Sequence, residues 1–456
     1  LKQIKHIGAK LLGKWLGIDL QSETAAGSVG ATLILGAGGS FMVNLASRIL
    51  AFGIHLFLVR YLGTVSYGIY IYVLSLVNII YVLINLGYDS SAVRFIPEYT
   101  SSGKWGLVRG YISRASLMVL LQSAVAALLG GITLFAFHGR IEPEMYMTLW
   151  AGLILIPVRA LVQLVAAFLR AFKVVVRALT LSTIVNPLLL AAGILILVHA
   201  AGRDVSSSTG MLINAASSAV VLILCWLLLR DILPSAVAET PLQSSIKKWL
   251  RVAFPLFLIS LFQLILSKTD ILMVGSILGT TQAGIYSVAS QIALLVSFGL
   301  NSANIIIAPM IAQLHSQGRH GDLQRMITMA ARGVLAYSFP VLLFVLLWGK
   351  WVLGWFGPAF VPGYGILAVL CLGQLVISLT GPVGFLMSMT GYQREAAWVI
   401  GVTALLNIIL NAVLISLMGV IGAAVATAIV ISLRSITLSV FVKKKLKISA
   451  TALPAS

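Results

Sequence analysis

Arg48 and Arg159 each fall near the middle of a long apolar stretch, too far from its ends to reach water by extending the side chain. A guanidinium at the bilayer centre costs about 2.5 to 3.5 kcal/mol unless it meets water or an anion. Its planar fork suits two phosphate oxygens at once, so the chemistry to expect is anion binding rather than bond making. Helical spacing extends both positions into stripes. Asn44, Arg48, Ala51 and His55 share one face, Asn78, Val82, Asn85 and Asp89 a second, and Arg159, Gln163, Ala166 and Arg170 a third. Arg48, Arg159, His55, Asn44, Gln163, Asn78 and Asn85 are therefore the expected substrate contacts. Each neutral member could equally serve as hydrogen-bonding glue between helices.

Asp270 is the one acidic residue well inside an apolar run, and it ends a stripe of Ser260, Gln263 and Ser267. Ser290, Ser297, Asn301 and Asn304 form a comparable stripe in the next run. The spacing puts Asp270 in the outer third of the membrane, on the side where Arg60 ends the first span, so Asp270 is expected to pair with Arg60 or with Lys268 two residues away to close an outer gate, Arg60 being the better placed. Asp270, Arg60, Lys268 and Asp89 are thus the expected gate or ion-coupling groups. In this reading a proton or sodium ion at Asp270 loosens an outer ion pair; a static pair that only orients the helix is the equal alternative.

Other chemistry is missing. No G-x-x-x-x-G-K-[ST] phosphate loop occurs, so no ATP hydrolysis is expected. His315 and His320 lack neighbouring metal ligands, and Cys225 and Cys371 sit about 145 residues apart in apolar runs. Glu142 and Glu144 flank Pro143 in an outer turn, but every outer loop is too short to hold the sugar and acceptor of a glycosyltransferase. Neither an enzyme, a cofactor nor a metal centre is expected.

The elements that must carry these residues follow from composition. Of 456 residues 60% are hydrophobic and 9% charged, too few charges to cover a soluble surface. The chain is therefore all-α and polytopic. Apolar runs long enough to cross a bilayer recur about twelve times, near 32–58, 68–90, 111–137, 147–169, 179–200, 210–229, 252–278, 284–312, 327–348, 362–389, 396–417 and 420–442. With both termini cytoplasmic, 24 of the 31 Lys and Arg lie in inner loops, 4 in outer loops and 3 within the membrane. The net charge of +19 is then a topology signal, and a nucleic-acid partner is not expected. Leu1, Ile4, Ile7, Leu11, Trp15 and Ile18 alternate with lysines at helical spacing, which suggests a basic amphipathic helix on anionic membrane lipids rather than a signal peptide.

The chain also repeats itself. Leu62-Gly63-Thr64, three residues, then Gly68-Ile69-Tyr70 returns 216 residues later as Leu278-Gly279-Thr280, three residues, then Gly284-Ile285-Tyr286. Gly103-Lys104-Trp105-Gly106 is echoed by Gly318-Arg319-His320-Gly321, and Asn186 by Asn411. Two similar tight turns could account for the first pair alone, but the others keep their order. Six spans per repeat give both halves the same orientation, so two six-helix bundles around a central cavity are expected. The resulting division is 1–30 for the amphipathic segment, 31–230 and 252–442 for the bundles, 231–251 for a cytoplasmic linker, and 443–456 for a basic tail.

The repeated turn, the Thr269–Gly279 stretch T-D-I-L-M-V-G-S-I-L-G, Val93-Arg94-Phe95, and the Asn407, Asn411, Gly419 and Gly422-Ala423-Ala424 series resemble the polysaccharide transporter family. This family includes the Wzx-like O-antigen flippases and belongs to the multidrug/oligosaccharidyl-lipid/polysaccharide (MOP) superfamily; the likeness covers about residues 30 to 442. It implies translocation of a polyprenyl-pyrophosphate-linked oligosaccharide across a prokaryotic plasma membrane, for polysaccharide or lipopolysaccharide biosynthesis. Other polysaccharide-assembly proteins would be partners. A cation-coupled drug exporter of the same superfamily would want a cavity richer in carboxylates. A lipid-linked peptidoglycan-precursor flippase shares the chemistry, whereas a major-facilitator carrier would show a G-x-x-x-D-R-x-G-R-R loop absent here.

Overall fold

The computed structural model describes residues 26–201 and 205–448; most of the expected amphipathic segment lies outside them. All regular structure among the described residues is helical. That follows from the solvent, because only a helix satisfies its own backbone groups within one apolar segment in lipid.

Helix α1, Ala26–Asn85, runs 60 residues and is interrupted only at Gly63, whose φ of 76° and ψ of 169° no helix contains. A side chain would resist that left-handed φ, so the glycine joins two arms without a loop. After a break at Leu86 and Gly87 come α2 (Tyr88–Ser101), α3 (Trp105–Ala136) and α4 (Pro143–Ala171). A short α5, Val175–Thr180, passes through a π-turn at Leu181–Val185 into α6, Asn186–Ala201. Pro187 has no N–H to continue the ordinary ladder, which accounts for the slipped turn before it. Helix α7, Ser207–Ile232, is capped by the Ser206 hydroxyl, which accepts from Thr209 N at 3.3 Å.

A short α8, Ser235–Glu239, leads through the linker to α9, Ile246–Leu278. Then follow α10 (Thr280–Ala293), α11 (Phe298–Ser316), α12 (His320–Gly354), a 3-10 turn at Pro358–Gly363, α13 (Tyr364–Thr380), α14 (Val383–Met389), α15 (Gln393–Met418) and α16 (Val420–Leu446).

Ten of these helices are long and apolar enough to span a bilayer, and α10 with α11, bent by 57°, makes an eleventh crossing. The expected twelve differ by one because the first two apolar runs form the single kinked α1; with its arms taken separately the twelve are recovered. The tenth expected run, 362–389, is divided into α13 and α14 at Gly381, whose φ is 68°, followed by Pro382.

Helix α4 packs against α7, α3 and α2, while α16 packs against α15 and α13. The two sets meet where the repeated turns face each other. A Cβ on Gly68 would stand 2.3 Å from the Thr280 carbonyl oxygen, and one on Gly284 would stand 3.0 Å from Gly68 Cα. Backbone thus touches backbone, and one continuous apolar core runs from α1 to α7 through α10 and the end of α12. A separate core, including Ile311, Leu323, Ile327, Leu386 and Val442, holds the opposite end of the later helices. At that end α9 leans on α2: Trp249 Nε1 donates to Tyr99 OH at 3.0 Å, and Lys248 Nζ pairs with Glu98 at 3.2 Å. The linker is strapped down by Gln243 N donating to the Gly106 carbonyl and by Arg109 donating to those of Ala238 and Thr240.

Candidate substrate-binding and coupling sites

His55 lies two turns before the Gly63 kink and Tyr67 one turn after it, so the bend folds them together. Their Nδ1···OH distance is 2.8 Å. On its other side His55 Nε2 meets Gln291 Nε2 of α10 at 3.3 Å. Lys268 of α9 lies close enough to His55 and to Arg159 of α4 to interact electrostatically with both, and Arg159 is similarly close to Tyr70 and Tyr81. A basic cluster therefore draws on helices from before and after the linker. Arg159 Nε is buried with no hydrogen-bond partner, a donor left over for an incoming acceptor.

Arg48 sits further along α1, toward the chain terminus, where its exposed side chain lines a 20 Å³ hollow with Phe52, Gln291 and Leu294. Gln291 is thus shared by the Arg48 and His55 surroundings. The side chain of Asn44 lies outside those described. Among the described residues Gln163 and Asn78 are part-buried without hydrogen bonds, and Asn85 is 2% exposed with both amide atoms unpaired.

Asp270 belongs to a different cluster. Its Oδ2 accepts from Thr427 Oγ1 at 2.6 Å and Tyr286 OH at 3.0 Å, and its Oδ1 from Asn411 Nδ2 at 2.8 Å. The Asn407 and Asn411 side-chain oxygens, both buried, accept no hydrogen bond among the described residues. The expected Asp270–Arg60 pair is not formed. Arg60 is exposed, whereas Asp270 is turned inward to α10, α15 and α16, where neutral donors replace the cation. Lys268, two residues earlier, faces the basic cluster instead. Asp89 stands in the first turn of α2, accepts from Ser90 N at 2.8 Å and lies near Arg170.

Glu144, weighed above as a catalytic carboxylate, accepts from Ser207 N and Oγ at 3.0 and 2.8 Å, so it ties α4 to the start of α7. Among the described residues no group of three or more His, Cys, Asp or Glu could hold a metal, and both cysteines are free and buried.

Tyr67, Gln291, Thr427 and Asn214 were not singled out from sequence. The signal for part of this set lay in the repeat, since Tyr70 and Tyr286 are equivalent and each directs a hydroxyl into the polar centre of its half. Tyr70 OH accepts from Asn214 Nδ2 at 2.7 Å, and Asn186 donates to Ser218 beside it. Position 54, the counterpart of Asp270, is Ile54, so only the second half holds a carboxylate.

A family model described as polysaccharide biosynthesis protein matches residues 35–315. The probable low-salt glycan biosynthesis flippase Agl15 of Haloferax volcanii is 24% identical over 188 residues; the match spans 40% of this chain and 40% of that relative. An inward-facing multidrug resistance MATE family transporter of the MOP superfamily superposes with a TM-score of 0.72 at 13% identity, covering 89% of this chain and 98% of the other. The lipid II flippase MurJ in an inward closed conformation gives 0.69 at 17% identity, covering 88% and 87%. At these identities the structural likeness is one of fold.

Proposed function

This chain belongs to the polysaccharide biosynthesis protein family, and from that membership we propose that it is a flippase, not an enzyme, for a polyprenyl-pyrophosphate-linked oligosaccharide. The observation that carries the reading is the pair of cations Arg159 and Lys268, with the His55 imidazole beside Lys268, contributed by helices on both sides of the linker and holding one unpaired guanidinium donor. A doubly charged pyrophosphate in a low-dielectric cavity needs such donors, while its lipid tail stays between the bundles. A drug exporter for cations would instead need carboxylates facing that cavity; Asp270 is buried and occupied elsewhere.

In this proposal residues 31–230 and 252–442 rock as two bundles about the site, with 231–251 as linker and both termini cytoplasmic in a prokaryotic plasma membrane. The Gly68–Gly284 contact closes the outer end. Arg48 meets the pyrophosphate first, from the cytoplasmic side, and Asn44, Asn78, Asn85 and Gln163 contact sugar. Asp270 couples transport to a proton or sodium ion: its carboxylate, the two spare asparagine oxygens and the Thr427 hydroxyl form an oxygen-rich cluster suited to a hard cation. Arg60 and Asp89 act at the outer and inner rims, and other polysaccharide-assembly proteins receive the product.

The test is reconstitution in liposomes with a fluorescent polyprenyl-pyrophosphate oligosaccharide. Movement between leaflets that requires Arg159 supports the reading. Equal movement by wild type, Arg159→Ala and empty liposomes overturns it.

A further inference from the structure

Away from the basic cluster, α12 and α13 line a groove of about 560 Å³, within the roughly 300–1,000 Å³ of ligand pockets. Leu335, Phe339, Pro340, Leu375 and Leu379 line it, and Arg332 stands at one end. The groove opens on a face where Phe339, Leu343, Phe344 and Leu347 are all exposed, an apolar surface that in a spanning helix faces lipid. It is a place for a hydrocarbon chain.

Two features of α12 fix the depth of Arg332. Trp348, Trp351 and Trp355 are exposed near the end of the helix, the position of an aromatic belt at one membrane interface. Arg332 precedes Trp351 by 19 residues, which at 1.5 Å per residue is about 29 Å and matches a hydrocarbon layer of about 30 Å. Arg332 therefore lies at the phosphate level of the other leaflet. That leaflet is the one nearer the chain's C-terminal end, because Leu323 and Met326 of α12 share a core with Leu438 and Val442 of α16.

The guanidinium of Arg332 is exposed and has no hydrogen bond or ion pair among the described residues. Arg325, seven residues earlier on the same helical face, is exposed as well. A fork-shaped cation at phosphate depth, with a second two turns behind it and an apolar groove leading into the bilayer, matches the two ends of one molecule. Charge complementarity selects an anionic headgroup. The groove's place on the outside of the later helices, apart from the cluster shared across the linker, selects a resident lipid over transported cargo.

We propose that the α12–α13 groove binds an anionic glycerophospholipid of that leaflet, its phosphate on Arg332 and one acyl chain along Phe339, Leu375 and Leu379. This site is independent of the flippase reading, since its occupant is not the substrate.

Native mass spectrometry of the full chain with phosphatidylglycerol, phosphatidylcholine or polyprenyl phosphate tests it without a transport assay. Wild type should retain one phosphatidylglycerol against an excess of phosphatidylcholine. Arg332→Gln should weaken retention about tenfold or more, Arg332→Lys less, and Leu379→Trp should remove it by filling the groove. The two ends of the groove are tested separately, so failure of one variant to fold leaves the other to decide. Unchanged retention in the folded variants overturns the proposal. So does displacement of phosphatidylglycerol by an equimolar amount of polyprenyl phosphate, which would make the groove a cargo site.

Discussion

At the scale of single residues, the polar side chains divide between two jobs. Arg159 keeps a buried N–H with no partner among the described residues and lies near Lys268, and in the proposed function that N–H is the donor for an anion. Hydrogen bonds to charged groups are worth about 1.5 to 3 kcal/mol, so Arg159→Ala should weaken substrate affinity roughly 10- to 100-fold while protein abundance stays near normal. Arg159→Lys should recover only part, because it keeps the charge and loses the fork. Titrating the purified variants with a fluorescent lipid pyrophosphate would check both. Asp270 has the opposite surroundings, with three donors satisfying its carboxylate. Asp270→Asn preserves the shape and removes the charge, so liposome transport should lose its dependence on an imposed proton or sodium gradient. A variant with normal rate and unchanged gradient dependence would leave Asp270 a purely structural group.

At the scale of elements, breaks in helices matter as much as the helices. At the α10–α11 bend the Leu295 carbonyl accepts from Phe298 N at 3.3 Å and from Tyr337 OH of α12 at 3.2 Å, and the Val296 carbonyl accepts from Ser338 Oγ of α12 at 2.6 Å. With its one proton given to Val296, Ser338 Oγ also stands 2.9 Å from Ser378 Oγ of α13 as an acceptor, three residues before the Gly381 break. Bends in neighbouring helices thus share one hydrogen-bonded level, between the two separate cores. Ser338→Ala leaves a buried carbonyl unpaired and should cost about 1 to 3 kcal/mol, read as a lowered thermal unfolding midpoint. Gly68 is the corresponding point for the contact between repeats. Gly68→Ala places a methyl 2.3 Å from the Thr280 carbonyl oxygen and cannot keep the present closure. A cysteine at buried Ser287 should then react several times faster with a water-soluble maleimide in the Gly68→Ala background.

At the scale of the whole molecule, the proposed orientation rests on the sequence expectation of 24 inner against 4 outer cations, a bias that acts through insertion and leaves no contact to inspect. Arg140 and Ser102 are both exposed and lie at opposite ends of α3, and the native cysteines are buried. Arg140→Cys should therefore label with an impermeant thiol reagent in intact cells, and Ser102→Cys only after permeabilisation. The reverse pattern would turn the chain over and assign the Gly68–Gly284 closure to the cytoplasmic end.

Composition and hydrophobic runs alone determined the all-helical membrane fold, because the bilayer enforces helix wherever about twenty apolar residues occur together. The 216-residue repeat likewise announced that Gly63 and Gly279 are equivalent, and both take a positive φ. Arg159 was legible as a cation inside an apolar run because a guanidinium is costly wherever it falls in the membrane. Only the tertiary structure decided partners. Asp270 and Arg60 lie toward the same end of their helices, but Arg60 stands six residues beyond Ile54, the counterpart of Asp270, and packing turned Asp270 toward Thr427, Tyr286 and Asn411. It also brought Tyr67 and Gln291 to His55 across a kink and between helices more than 200 residues apart. Such pairs depend on how helices rotate against one another, which apolar periodicity restrains only weakly when lipid and protein neighbours are equally apolar.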